Sequence, residues 1–72
     1  MIAAEGQLKG SFRGFKNRDT TFEFQGGKTW RQAVYRYHYH YAYMPRAKVV
    51  QEGGRYMLYV EGMIDPVEVR PA

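Results

Sequence analysis

Residues 35–43 read YRYHYHYAY, with tyrosine at every second position and arginine, histidine and alanine between. A period of two belongs to a β-strand, whose successive side chains point to opposite faces. Tyr35, Tyr37, Tyr39, Tyr41 and Tyr43 are therefore expected on one face, and Arg36, His38, His40 and Ala42 on the other. The alternation extends upstream through Trp30, Gln32 and Val34. Downstream it meets Pro45, which lacks a ladder donor and restricts Met44 before it. The expectation is one long strand from Thr29 to Met44.

The same period governs the rest of the chain. No stretch places apolar residues at i, i+3, i+4 and i+7 for long enough to make a stable helix. QLKGSFRGFK (7–16) reads as a first strand with Leu8, Gly10, Phe12 and Gly14 on one face, and TTFEF (20–24) as a second with Phe22 and Phe24 inward. The turns NRD and QGGK bound that second strand; paired glycines supply positive φ at little cost. AKVVQ (47–51), RYMLYVEG (55–62) and VEVR (67–70) complete the series, with Tyr56, Leu58, Val60, Val67 and Val69 inward. Five or six short antiparallel strands joined by turns predict a sandwich or barrel. For so short a chain the reading is an SH3-like small barrel, with an OB-like barrel as the alternative. It is expected as one domain over residues 1–72, ordered from about 7 to 70.

A chain of 72 residues buries only about 60% of the surface its unfolded form exposes, so it needs help to be stable. Cysteine is absent, which excludes disulfides and thiolate metal sites and brings oligomerisation forward. No apolar run is long enough for a membrane-spanning helix, and MIAAEGQLK lacks the basic start and apolar stretch of a secretory leader. The expected compartment is the cytoplasm, with no membrane partner. The formal net charge is +4, but the basic residues are scattered from Lys9 to Arg70.

Several residues form a pattern that runs beyond single strands. It comprises Phe12-x-Gly14-Phe15, then Phe22-Glu23-Phe24-x-Gly26-Gly27-x-x-Trp30-x-Gln32, the tyrosine run into Pro45, and Gly54-x-Tyr56-x-x-x-Val60-Glu61-Gly62 before Val67-x-Val69. Over roughly residues 8–70 this resembles a family of short uncharacterised bacterial proteins, of the kind found among the products of mobile integron gene cassettes. The resemblance implies an all-β, SH3-like domain and carries no activity with it.

Area constrains what the tyrosine run does. Each tyrosine buries about 150–250 Å², so five on one face offer very roughly 750–1,250 Å². The largest exposed apolar patch of a soluble monomer is typically about 300–600 Å². Full burial has the opposite difficulty, since each unpartnered phenol hydroxyl costs about 1–3 kcal/mol. The expectation is a division: some rings line the core with hydroxyls at its rim, and others meet a second copy of the chain in a dimer or tetramer. Arg36, His38 and His40 then flank that interface. Two histidines at i and i+2 on a strand share a side, but no acidic residue stands at a recognisable ligand spacing from them. Neither a metal nor another cofactor is expected.

The alternative is single-stranded nucleic acid. Aromatic rings interleaved with cations provide stacking platforms and phosphate contacts, and Trp30, Arg31, Arg46 and Lys48 would join the tyrosines in that role. Catalysis has little support. Ser11 has no His/Asp framework around it, and GGKT leads into a strand where a phosphate loop requires a helix. No enzyme is expected, unless a site forms at the centre of an oligomer.

Overall fold

Eight strands and no helix make up the computed structural model, which describes residues 1–72. They are β1 (Ile2–Gln7), β2 (Ser11–Phe12), β3 (Thr21–Glu23), β4 (Thr29–Gln32), β5 (Ala42–Tyr43), β6 (Arg46–Glu52), β7 (Arg55–Val60) and β8 (Val67–Pro71). Six form one antiparallel sheet in the order β1-β6-β7-β8-β4-β3, while β2 and β5 pair with each other. The sheet curls as the small SH3-like or OB-like barrel predicted from the turns. Its two edges approach where Leu8 bridges Phe24. There Lys9 N–H donates to Glu23 O at 2.7 Å and Gln25 N–H to Gln7 O at 2.8 Å. No helix is long and apolar enough to cross a membrane.

Alternation fills the interior. Phe22 and Phe24 come from β3 and its end, Trp30 from β4, Ala47 and Val49 from β6, Leu58 and Val60 from β7, and Val67 and Val69 from β8. Between β6 and β7 the loop has two residues. Gly53 sits at φ +64 in its first central position, where a type II′ hairpin wants glycine.

The N-terminal strand begins well before the expected start near residue 7. β1 pairs with β6 from Ile2 opposite Val50 to Gln7 opposite Arg46, and Ala4 is buried. Ala3, Ala4 and Gly6 carry too little hydrophobic weight to announce a strand; the ladder offered by β6 supplies what they lack.

The long strand expected from Thr29 to Met44 is not continuous. β4 ends at Gln32, and only Ala42–Tyr43 is again regular strand. Gln32 provides the physical reason. Its side chain is fully buried, its Oε1 accepts from Lys16 N–H at 3.0 Å, and its Nε2 lies 3.2, 2.8 and 3.1 Å from the carbonyls of Lys16, Val34 and Arg36. A buried amide must be satisfied, and here it is satisfied by drawing the chain after β4 around itself and out of the sheet.

Residues 8–16 and 36–45 then run antiparallel as an irregular two-stranded ribbon. The bonds Leu8 N–H to Pro45 O, Met44 N–H to Gly10 O, Phe15 N–H to His38 O, His38 N–H to Phe15 O and Arg36 N–H to Lys16 O hold it, together with the β2–β5 pair. Phe12 and Phe15 project from it into the core. They meet each other and Phe22 with ring centroids 5.9–6.1 Å apart. The ribbon is thus a cover packed on the barrel. Met44 takes a left-handed φ of +48 ahead of Pro45, where an extended conformation is the preference. Its amide bond to Gly10 and the acceptance of Gln7 Nε2 by its carbonyl at 3.3 Å hold that turn.

Candidate functional site

The outer face of the ribbon is a row of tyrosines. Tyr35, Tyr37, Tyr39, Tyr41 and Tyr43 are between 54% and 73% exposed, and none contributes to the core. The expected division between core rim and contact face is therefore wrong. The core's volume is already filled by four phenylalanines, Trp30 and six valines and leucines of the sheet and its margins, so the tyrosine segment of the ribbon turns its small or polar side inward. Ala42 packs on the core, and the ring of His40 stands 6.5 Å from that of Phe12.

Gly14 is what lets the ribbon close. A Cβ there would lie 2.0 Å from His38 O and 2.7 Å from His40 N, and its φ is +93. Only glycine admits both the approach and the conformation. His40 is seated in a comparable way on Gly62, where a Cβ would be 3.0 Å from Nε2. His38, in contrast, is exposed. His40 is turned to the core and away from the aromatic surface, as its alternation with the tyrosines predicts. Arg36 also leaves it: Nη2 reaches Asp65 Oδ2 at 3.0 Å and Nη1 reaches Pro66 O at 3.4 Å. Across the ribbon the exposed Arg13 and Lys16 follow Phe12 and Phe15, which stand opposite Ala42 and His38, so cations border the tyrosine row.

One backbone edge of the ribbon is also free. The N–H and C=O groups of Tyr37, Tyr39 and Tyr41 make no hydrogen bond within the chain, because His38 turns both of its groups to Phe15. An unpaired edge flanked by aromatic rings is the kind of strand that proteins usually cover or blunt with charge.

The residues expected to bind nucleic acid are not brought together. Trp30 is buried 5.2 Å from Tyr56, with its Nε1 lacking any partner, and offers no face for stacking. Burial of the inward positions of β4 removes it from the surface. Arg46 and Lys48 lie outward on β6, three strands from β4 in either direction around the curled sheet. Lys48 stands 5.9 Å over the Tyr59 ring. That tyrosine donates to Glu52 Oε2 at 2.6 Å, and the bond to the carboxylate, with some desolvation and the nearby charge, raises its pKa. Arg31 is exposed near the start of the ribbon and pairs with Asp19. No three His, Asp or Glu side chains converge as metal ligands would.

Two residues that organise the site escaped functional notice in the sequence. Gln32 looks like an ordinary strand residue there, and Gly14 like a generic point of bending. The signal available for Gln32 was its parity: it falls on the same face as Trp30, so a polar group was bound for the interior. No family model, curated protein or solved structure matches the chain.

Proposed function

We propose that this protein is a binding module that self-associates through the outer face of its tyrosine ribbon. The observation that carries the reading is a row of five exposed tyrosines beside a free backbone edge. At roughly two-thirds exposure the rings offer on the order of 500–800 Å². That approaches the ~800 Å² per partner of a standard interface. The upper end of the range exceeds the largest apolar patch, about 300–600 Å², that a solitary soluble domain ordinarily exposes.

The free backbone edge favours a second copy as the occupant. The N–H and C=O groups of Tyr37, Tyr39 and Tyr41 are unpaired, and an identical strand can pair with them edge to edge, against the repulsion of the +4 that each copy carries. A two-fold arrangement places the same patch on both sides of the contact. Tyrosine suits it, since the ring is covered while the hydroxyl reaches the wet rim. The resulting assembly is a dimer held ribbon to ribbon.

Sedimentation over a range of concentrations tests this. The expected result is a mass that rises from monomer to dimer, and a monomer at every concentration for the double variant Tyr39→Ser/Tyr41→Ser with its fold retained by circular dichroism. A wild-type chain that stays monomeric throughout overturns the proposal, as does a dimer that survives the double variant.

A further inference from the structure

Positive charge collects at one end of the tyrosine row. Where β4 leaves the sheet, a cleft of about 680 Å³ is lined by Arg18, Arg31 and Arg70 together with Asn17, Asp19 and Tyr35. Three guanidinium groups therefore share the cleft with one carboxylate.

The sheet register makes this crowding obligatory. Arg31 on β4 lies directly opposite Arg70 on β8. Directly opposed residues of an antiparallel pair project to the same face, and like charges there are destabilising. Asp19 offsets only one of them: its Oδ1 is 3.3 Å from Arg31 Nη2. Arg31 Nε also donates to Arg18 O at 3.2 Å, so this guanidinium is held in place before any ligand arrives. Arg18 and Arg70 have no acidic partner. A pre-oriented guanidinium, two free ones and the unfavourable opposition of like charges form a setting that an anion with several oxygens relieves. Planar forks of this kind suit phosphate in particular.

Tyr35 narrows the ligand further. Its ring is 73% exposed and contributes to the wall of the same cleft, so a phosphate held by the arginines can carry a planar group stacked on it. We infer that the cleft is a phosphate subsite for a nucleotide unit, with Arg31 and Arg70 gripping the phosphate, Arg18 adding charge and Tyr35 stacking against the base. That chemistry has two sources, a free nucleotide or one residue of a single strand. A single strand has somewhere to continue, because the following tyrosines stand about 6.6–6.8 Å apart along an extended ribbon. The arginines stand beyond Tyr35 at the end of the row, so a mononucleotide needs no dimer to bind, whereas a single strand laid along the tyrosines competes with the dimer for the same rings.

The test is a titration of the full chain at low salt, followed by NMR, with inorganic phosphate, adenosine monophosphate and an eight-residue oligo-dT. The expected result is binding of the nucleotide more tightly than of phosphate, with shifts at the Arg31 and Arg70 side chains and the Tyr35 ring, weakening as salt rises. Arg70→Gln is expected to reduce affinity about tenfold, from the loss of a charge-assisted contact, with Tyr35→Ser removing the preference for nucleotide over phosphate. Arg18→Gln gives a second reading at an exposed loop position where folding is not at stake. The double variant Tyr39→Ser/Tyr41→Ser is expected to leave binding of adenosine monophosphate unchanged, which separates this site from self-association. Oligo-dT binding tighter than the mononucleotide supports a single strand as the source, and equal binding supports a free nucleotide. Phosphate binding as tightly as the nucleotide, or no response to any of the three, overturns the inference.

Discussion

The β6–β7 hairpin and the tyrosine ribbon are both antiparallel pairs of alternating sequence, yet they turn their large side chains in opposite directions. In the hairpin Leu58 and Val60 point inward, facing Val49 and Ala47 across the ladder, and Tyr56 leans on Trp30. In the ribbon Phe12 and Phe15 enter the core from one strand, while the other directs Ala42 and His40 inward and all five tyrosines outward. Period fixes which residues share a face. It does not fix which face is buried; that depends on the volume left by everything else.

The two regions should therefore respond differently to matched substitutions. The largest contrast is between glycines. Gly14→Ala forces a methyl group against the His38 carbonyl at a left-handed φ, and is expected to cost about 3 kcal/mol in urea denaturation. Gly54→Ala, where a Cβ meets nothing within 4 Å, should stay within about 0.5 kcal/mol of the parent.

Glutamines give the next contrast. Gln32→Leu removes the amide around which the ribbon is drawn, leaving Lys16 N–H and the Val34 and Arg36 carbonyls short of a partner. A loss of about 2 kcal/mol is expected, with faster hydrogen exchange at Lys16. Gln51→Leu on the hairpin is exposed and should shift the denaturation midpoint little.

Tyrosines give a smaller and inverted one. Tyr56→Ser uncovers Trp30 and is expected to cost about 1–2 kcal/mol of monomer stability, whereas Tyr39→Ser costs under about 0.5 kcal/mol and acts on association. Equal losses from the two would mean that the ribbon tyrosines contribute to the monomer's core after all.

The smallest expected effect is a titration. Glu52 holds the neutral form of Tyr59, so the folded-state pKa lies above the ordinary value of about 10. The associated stability is present below the unfolded pKa and is lost as pH rises through the folded one. Glu52→Ala should bring the Tyr59 midpoint back down, as read from its ring carbon shift. An unchanged midpoint would show that the hydrogen bond is not maintained in solution.

The meander of β6, β7 and β8 was legible in the sequence because each strand carries its own turn and its own inward aliphatic residues. Phe22 and Phe24 were equally readable. The ribbon was not, because the break after β4 depends on a contact between Gln32 and Lys16 that no local pattern states. Likewise β1 depends on the partner strand for its identity. In the site, the tyrosines were found by periodicity, but their exposure required knowing that Phe12 and Phe15 had already taken the interior. Arg18 and Arg70 lie far apart along the chain and become neighbours only through the β4–β8 register and the loop before β3.

The order of strands in the sheet also has a kinetic consequence. β6, β7 and β8 follow one another in sequence and in space, so their contacts close short loops, while the ribbon must unite residues 8–16 with residues 36–45. Joining distant segments carries the larger entropic cost and belongs late in folding. The tyrosines gain no burial when the ribbon docks, so within the monomer only its inward-facing side chains, chiefly Phe12 and Phe15, and its hydrogen bonds hold it down. Lifting the ribbon short of global unfolding exposes those side chains and breaks the Gln32 bonds, and dimerisation across its outer face is what would slow that opening.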